Sequence, residues 1–562
     1  MKHLNIGIAQ VNSTIGDFRS NFEKILSFWE ELDSKSELVV FPELVMCGYP
    51  PEDLLTREDF IKECMLWAQK LVEYSQKFSS ALVFGTPYFK SRLFNALIVA
   101  YKGEIIGLYF KKFLPNYSVF DEKRYFASGD SPLLIQVNDV KLGFSVCEDI
   151  WHPDGWETRC ASAGAEVLIS INASPYHIGK FEFKKNFLKA RAQDNICYVV
   201  YVNCCGAQDE LVFDGRSMVI SPEGKIIAQL KAFEEEAQVV SIEVSKVTKK
   251  RLFDLRLYEK PIQIFSQAKI EIKRKPPVLK TTFEDFSCEE AEVYEALVTG
   301  VKNYVEKNGF KSVLIGLSGG IDSSLTACIA VDALGASKVI GVFMPSKFTS
   351  KESKEDVKEL VKNLGITLYT YPIDEIFEAY ERLLSQGKFD VADENVQARI
   401  RANILFYLSN RLRALVLSTS NKSESAVGYT TIYGDMAGGF APLKDVYKTE
   451  VYKLARYRNS ISPVIPERVF KKPPTAELKE NQTDQDTLPP YSILDEILIK
   501  YIEEGLSKEE LIGLGYEKST VEKVLKMLKL AEFKRKQAPL GPKIHLRAFG
   551  KDWRMPITNH YF

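Results

Sequence analysis

Three residues early in the chain carry side chains that could perform acyl transfer together: Glu43 in VVFPELVMCGYPPEDLL, a lysine in GLYFKKFLPNYSVFDEKRYF, and Cys147 in LGFSVCEDIW. A thiol with an ordinary pKa of about 8.5 becomes a strong nucleophile beside a cation, and a carboxylate can collect its proton. The lysine would favour thiolate and hold the oxyanion of a tetrahedral intermediate. Taken singly, a strand cysteine is most often a core residue, and a Glu or Lys a solvated charge. The proline before Glu43 and the tripeptide CED behind an apolar strand set this group apart. Of Lys111 and Lys112 only one can enter such a site, because adjacent strand residues face opposite sides.

A second chemistry is written in IGLSGGIDSSL, Ile315 to Leu325. An apolar strand, Ser312 to Leu317, runs through two glycines into a helical segment whose free N–H groups favour an anion. The lysine of the G-x-x-x-x-G-K-[ST] loop that serves γ-phosphoryl transfer is missing. A glycine-rich helix cap is the plain structural alternative.

The elements that must position these groups follow from periodicity. From residue 1 to about 260, short β-rich runs (LNIGIAQV, ELVVFPEL, SALVFGTPY, NALIVAY, KLGFSVCEDIW, EVLISINAS, CYVVYVNCC, SMVISPEG) alternate with helical stretches such as Asn21 to Leu32 and Phe181 to Asn195. This predicts a layered α/β domain with much hairpin content. Residues 261–285, mixing prolines with a charge cluster, read as a linker. Residues 286–562 begin with a helix, Cys288 to Asn308, and then alternate strand and helix, predicting a doubly wound parallel sheet. Pro463 to Pro490, rich in Pro, Lys, Glu and Asn, reads as a surface loop.

At 562 residues, 45% hydrophobic and 27% charged, the chain has the composition of a soluble globular protein of several units. Its net charge of −1, from 74 basic and 75 acidic residues, supplies no electropositive surface for a nucleic-acid backbone. MKHLNIGIAQVNSTIGDF is broken too early to be a secretory signal, and no apolar run approaches a membrane span. Nine cysteines without C-x-x-C spacing suit a reducing compartment. Cytoplasmic residence is the expectation, with Cys204-Cys205 packed in a strand.

The FPE, K-x-x-L-P and CED segments resemble those of the nitrilase, or carbon–nitrogen hydrolase, superfamily. That resemblance implies an αββα sandwich and a Glu43-Lys111-Cys147 triad, Lys111 being the match when the chain is aligned on Leu114-Pro115. The glutaminases of the superfamily further imply glutamine binding by Tyr117 of LPNY, Glu148, Ser174 of NASP, and Lys180.

The SGGIDSS loop resembles that of the ATP pyrophosphatases, which cleave between the α- and β-phosphates. The resemblance implies an adenine nucleotide α-hydrolase-like fold and a loop that holds the departing pyrophosphate. The segments DENVQARIRANILFYLSNRL, LSTSNKSESAVGYTTIYGDMAGGFAPLKDVYKTE, PPTAEL and KRKQAPLGPKIHLRAFGKDWRMPITNHY are similar to those of NAD synthetases. With both halves in this order, the whole chain resembles the glutamine-dependent NAD synthetases.

That family implies ATP contacts from Gly316, Leu317, Ser318, Gly319, Gly320, Ile321, Asp322, Ser323 and Ser324, together with Thr419, Lys448 and Thr475. It implies deamido-NAD contacts from Asn395, Arg399, Glu424 and Lys543, and Mg²⁺ at Asp322 and Glu424. The residue types agree: Arg offers a fork to phosphate or carboxylate, and Glu and Asp are hard oxygen ligands. The implied partners are glutamine, ATP and deamido-NAD, in a homo-oligomer built on a dimer of synthetase domains. Amidation of a different carboxylate, and a nucleotide sensor with inactive sites, stand as alternatives.

Overall fold

The β-branched runs of the first half are too short for helices and buried on both faces, so they must stack as inner strands between helices. In the computed structural model, which describes residues 2–256, 267–277, 285–384, 387, 389–480 and 482–561, the chain forms two compact units. The first comprises Met1–Gln208 and Phe213–Asp285, the second Asp209–Val212 and Phe286–Phe562.

Along the chain to Ile270 run β1 (His3–Gln10), β2 (Leu38–Val40), β3 (Ala81–Phe89), β4 (Leu93–Tyr101), β5 (Glu104–Phe110), β6 (Leu133–Val137), β7 (Val140–Val146), β8 (Val167–Asn172), β9 (Tyr198–Asn203), β10 (Cys205–Gln208), β11 (Leu211–Asp214), β12 (Met218–Ile220), β13 (Ile226–Gln229), β14 (Glu236–Glu243) and β15 (Gln267–Ile270). One sheet has the order β14-β1-β2-β3-β4-β5, a second β13-β12-β9-β8-β7-β6-β15. Their facing sides share one apolar cluster, to which β1 gives Leu4, Ile6 and Ile8 and β7 gives Leu142, Phe144 and Val146. These are alternate residues, as a period of two requires.

The helices α1 (Phe18–Asp33) and α2 (Glu58–Tyr74) cover the outer face of the first sheet through Trp29, Leu71 and Val72. The second sheet is covered by α3 (Trp156–Ser162) and α4 (Lys180–Asn195) through Cys160, Leu188 and Ala192. The layers are therefore αββα. α5 (Ser245–Phe253) follows β14.

The segment read as a linker contains a strand. β15 pairs in parallel with β6, Ala268 opposite Ile135 and Ile270 opposite Val137, because the AKIEI run alternates as a strand does. Residues 261–266 and 278–284 of that segment lie outside the described residues.

In the second unit, β16 (Val313–Leu317), β17 (Val339–Phe343), β18 (Thr367–Thr370) and β19 (Leu415–Leu417) form a parallel sheet of order β18-β17-β16-β19. Around it lie α6 (Glu289–Lys307), α7 (Ile321–Leu334), α8 (Lys351–Leu364), α9 (Asp374–Leu384), α10 (Val391–Leu412), α11 (Lys422–Val427), α12 (Lys448–Ile461) and α13 (Glu467–Lys471). Because β16 sits between β17 and β19, the strand order reverses there, and such a switch point opens a crevice beyond the carboxyl ends of the strands. Among the described residues no helix is long and apolar enough to cross a membrane.

Candidate functional sites

In the first unit, β2 runs out at Val40 and the chain leaves the sheet through Phe41-Pro42, which carries Glu43 just past the strand end. The turn is left-handed at Leu44, with φ 47°. It presses against β3 so closely that a Cβ on Gly85 would lie 2.3 Å from Leu44 N and 2.7 Å from Glu43 Cα. The Glu43 carboxylate is fully engaged. Its Oε1 accepts from Lys111 Nζ at 2.7 Å and from Asn95 Nδ2 at 2.7 Å, and its Oε2 accepts from Ala173 N at 2.9 Å.

Lys111 follows the end of β5, and its carbonyl accepts from Gly129 N at 2.8 Å. A Cβ on Gly129 would lie 2.0 Å from Phe110 O, so the backbone bearing Lys111 is also clamped by a glycine. Its ammonium, 0% exposed, reaches a second carboxylate, Glu122 Oε1, at 2.8 Å, and Glu122 in turn accepts from Tyr49 OH at 3.2 Å. Lys112 turns the other way, its Nζ 4.5 Å from the centroid of the Trp156 ring.

Cys147 opens a 3₁₀ turn, Cys147–Trp151, at the end of β7, with φ 47°. A left-handed residue with a side chain stores strain of order 1–3 kcal/mol, which the surroundings must hold. Asp149 supplies much of that hold. Its carboxylate accepts from Val146 N at 3.1 Å, Lys112 N at 3.1 Å, Phe113 N at 2.8 Å and Tyr109 OH at 2.7 Å. One buried side chain thus stitches the segment carrying Cys147 to that carrying Lys111.

Burial, then the negative charge of Glu43, pushes the Cys147 thiol well above its ordinary pKa, with Lys111 pulling it back. Burial alone would lower Lys111, but Glu122 and Glu43 hold it well above its ordinary value. Burial raises Glu122 to about 7, against the pull of Lys111. Burial thus disfavours thiolate in the resting site.

The residues expected at glutamine lie around this turn. Tyr117 is 56% exposed and its OH donates to Glu148 Oε2 at 2.9 Å. The positive charge of Lys180 bears on Glu148, and Lys180 Nζ donates to Pro175 O at 2.7 Å. Ser174 is buried and its N–H donates to Asn203 Oδ1 at 2.8 Å. Sequence reasoning passed over Glu122, Asn95 and Asp149. Of these only Asp149 had a signal, its place inside CED; nothing in FDEKRYF separates Glu122 from its charged neighbours.

In the second unit a cavity of about 440 Å³ lies beyond β16 and β19. It is lined by Gly316, Leu317, Ser318, Gly319, Gly320, Ile321, Asp322 and Ser323, and by Asn395, Thr419, Glu424, Lys448 and Thr475. Gly320 caps α7, and Gly320 N donates to Ser318 Oγ at 3.2 Å, folding the loop over the helix start. Ser324 is not in the lining; its hydroxyl donates to Gly320 O at 2.8 Å.

At the cavity floor, Lys448 Nζ donates to Asp322 Oδ2 and, at 3.3 Å, to Glu424 Oε1, so one buried ammonium bridges two carboxylates. Asn421 Nδ2 holds the other Asp322 oxygen at 2.9 Å. Burial raises Glu424 to about 8; Lys448 opposes this and Asp322 adds to it. Among the described residues no group of three or more His, Cys, Asp or Glu is placed to hold a metal ion. Two hard oxygen donors do suit Mg²⁺, which takes few protein carboxylates and fills its shell from phosphate and water.

Two residues expected at deamido-NAD are not in the lining of this cavity. Arg399 is exposed on α10 outside the lining, its Nε donating to Ile432 O at 3.2 Å. Lys543 is 3% exposed and already neutralised: its ammonium is paired with Asp552 and donates to His545 O at 2.8 Å and Leu546 O at 2.7 Å. The lysine of the basic tail that does line the cavity is Lys534, which donates to Gly428 O at 2.8 Å and Thr430 O at 2.7 Å. Burial holds Lys534 below its ordinary pKa.

Pro463 to Pro490 is more than a surface loop. Lys472, Pro473, Pro474, Thr475, Ala476, Glu477 and Leu478 form part of the cavity wall, anchored by buried Val469 and Phe470 of α13 and by the Lys472–Glu477 pair. Tyr429, Arg401 and Asp484, also in the lining, were not foreseen.

Comparison with known proteins gives the family of each half. The carbon–nitrogen hydrolase family profile matches residues 5–251 and the NAD synthase profile residues 293–538. The chain is 57% identical over 568 residues to the glutamine-dependent NAD(+) synthetase of Aquifex aeolicus, each chain covered completely. It is 46% identical over 573 residues to that of Thermotoga maritima, covering 100% of this chain and 99% of the other. The solved structure of the Acinetobacter baumannii glutamine-dependent NAD+ synthetase in complex with ADP superposes with a TM-score of 0.74 at 37% identity, over 99% of each chain. With both family profiles matched in this order and full-length identity of 46–57% to the Aquifex and Thermotoga enzymes, the chain belongs to the glutamine-dependent NAD(+) synthetase family.

Proposed function

We infer that the chain forms NAD(+) from deamido-NAD, with glutamine hydrolysed in the first unit to supply nitrogen and ATP used in the second to activate the acceptor carboxylate. The observation that carries the reading is the fully buried Lys111 ammonium, 2.7 Å from Glu43 beside the turn that bears Cys147. An ammonium held at the turn that bears the thiol can stabilise the oxyanion that forms when the thiol attacks a carbonyl.

Cys147 Sγ attacks the carboxamide carbon of glutamine while Glu43 takes the thiol proton, and Lys111 faces the oxygen as it becomes negative. Glu43 then returns the proton to nitrogen, the C–N bond breaks, and ammonia leaves a γ-glutamyl thioester. Water, deprotonated by Glu43, attacks that carbonyl; glutamate departs and Cys147 regains its proton. Tyr117, Glu148, Ser174 and Lys180 are the glutamine-binding set.

In the second unit the nicotinate carboxylate of deamido-NAD attacks the α-phosphate of ATP and pyrophosphate leaves into the Ser318–Ser323 loop. Ammonia attacks the acyl adenylate, AMP departs, and the amide of NAD(+) is formed. Asp322 and Glu424 would hold Mg²⁺, which when bound neutralises charge on the phosphates. Lys448 and Thr419 are assigned to ATP, and Asn395 and Lys534 to deamido-NAD.

The exposed apolar residues Ile376, Tyr380 and Leu383 of α9 and Tyr407 of α10 support pairing of two synthetase domains; light scattering that returned the monomer mass at working concentration would remove that part of the reading. Nine cysteines without C-x-x-C spacing support residence in the cytoplasm.

The test is Cys147→Ala. Formation of NAD(+) from glutamine should vanish while formation from ammonium stays near the wild-type level. Equal loss with both nitrogen sources in a folded variant would overturn the division of labour.

A further inference from the structure

Three consecutive residues of the loop after β8 are each pinned by a different group. Ala173 N donates to Glu43 Oε2 at 2.9 Å, Ser174 N to Asn203 Oδ1 at 2.8 Å, and Pro175 O accepts from Lys180 Nζ at 2.7 Å. Glu43 and Lys180 belong to the glutamine site as read above, but Asn203 does not, and it is the member whose orientation needs an explanation. Its carboxamide grips Ser174 from both sides, since Nδ2 also donates to Ser174 O at 3.2 Å. A flipped amide would set two donors against Ser174 N–H and break that grip.

Two acceptors oppose the flip: Gly215 O, 3.3 Å from Asn203 Nδ2, and the charged carboxylate of Asp214. That carboxylate can only accept, and its Oδ1 lies 3.3 Å from Asn203 Nδ2, so the NH₂ end must face it and the oxygen must face Ser174. Asp214 is held in turn by Lys184, whose Nζ donates to both of its oxygens at 3.1 Å. Lys184, Asp214 and Asn203 are 1%, 3% and 0% exposed. A buried ion pair is weak evidence of stabilisation, because apolar replacements of similar volume often hold a fold as well or better. Lys184 lies one helical turn after Lys180 on α4, so the pair also fixes the helix start that presents Lys180.

We propose that Lys184 and Asp214 are positioning residues for the glutamine subsite, acting through Asn203 on Ser174 and through α4 on Lys180. The inference rests on the reading that Ser174 and Lys180 bind glutamine, and the experiment separates the two. The variants are Lys184→Met/Asp214→Leu, which removes both charges together, Lys184→Arg, which keeps the cation, and Ser174→Ala. Each is measured for thermal unfolding, ammonium-dependent NAD(+) formation, and kcat and KM for glutamine.

The double variant should melt near the wild type and use ammonium normally, while its KM for glutamine rises roughly 10-fold or more with kcat changed by less than about three-fold, the pattern of lost substrate binding. Lys184→Arg should keep KM much closer to the wild type. A double variant with wild-type KM for glutamine would reduce the pair to a replaceable structural contact and overturn the proposal. If Ser174→Ala itself leaves KM unchanged, the subsite reading falls first and the proposal with it; if Ser174→Ala raises KM and the double variant does not, the proposal falls alone.

Discussion

Replacing Lys111 by methionine keeps most of the side-chain volume and removes only the ammonium. Two carboxylates then face each other in the dark of the core: Glu43, 2.7 Å from the lost nitrogen, and Glu122, 2.8 Å from it. Breaking a buried pair from one side costs about 3–5 kcal/mol, and losing one oxyanion donor lowers kcat about 10²–10³-fold. The loss should exceed the oxyanion figure alone, because Glu43 Oε1 also loses one of the two donors that hold it in place.

The assay is glutamate release from glutamine, with ammonium-dependent NAD(+) formation in the same preparation as the internal control and a thermal melt to follow stability. Lys111→Met/Glu122→Gln removes one of the stranded charges. It should recover part of the stability and none of the glutaminase rate. Glutamine hydrolysis within ten-fold of wild type in Lys111→Met, or its recovery in the double variant, would refute the assignment, for Lys111 would then be a counter-ion only. Lys112→Ala, which loses a contact with Trp156, should be mild.

Asp322→Asn should abolish NAD(+) formation from glutamine and ammonium alike, glutaminase activity partly surviving; full synthesis would remove Asp322 from the phosphate site. Lys534→Ala should raise KM for deamido-NAD about 10- to 100-fold, the scale of one charged hydrogen bond, whereas Lys543→Met should lower thermal stability by stranding Asp552 and leave KM unchanged; exchange of the two outcomes would restore Lys543 to the site. Glu122, raised by burial to about 7, binds a proton in the folded state that the unfolded chain has released, so its contribution to stability is lost as pH rises from the ordinary carboxylate range to about 7. Glu122→Gln should flatten that part of the dependence in chemical denaturation at pH 5 and 7.5, and an unchanged slope would show that Glu122 ionises normally.

Much of this was legible because the motifs sit where period-2 strands end. Glu43, Lys111 and Cys147 each fall at the carboxyl end of an apolar run, and the SGG loop follows β16, so element prediction alone aims them at strand ends. The choice between Lys534 and Lys543 was not legible. Both stand in one basic tail, and the pairing of Lys543 with Asp552, brought against it by the path of the terminal segment, cannot be read from composition. Glu122 escaped for the same reason: its meaning lies in a contact with Lys111, not in its neighbours. The linker misled because a charged strand at a sheet edge has the composition of a loop, and the cavity wall at Lys472 to Leu478 because proline-rich backbone buried by tertiary contacts looks mobile in isolation.

The two clamped backbones have a meaning for genetics. At Gly85 and Gly129 even one methyl group meets main-chain atoms, 2.3 Å from Leu44 N in the first case and 2.0 Å from Phe110 O in the second. Neither atom belongs to a side chain that could swing aside. A saturation screen scored on growth with glutamine as sole nitrogen donor should therefore return both glycines as null positions beside Glu43 and Lys111, and supplying ammonium should rescue them alongside Cys147. Such a map would mark as catalytic two residues that own no reactive atom, and the rescue by ammonium, rather than the depth of the defect, is what would assign them to the first reaction.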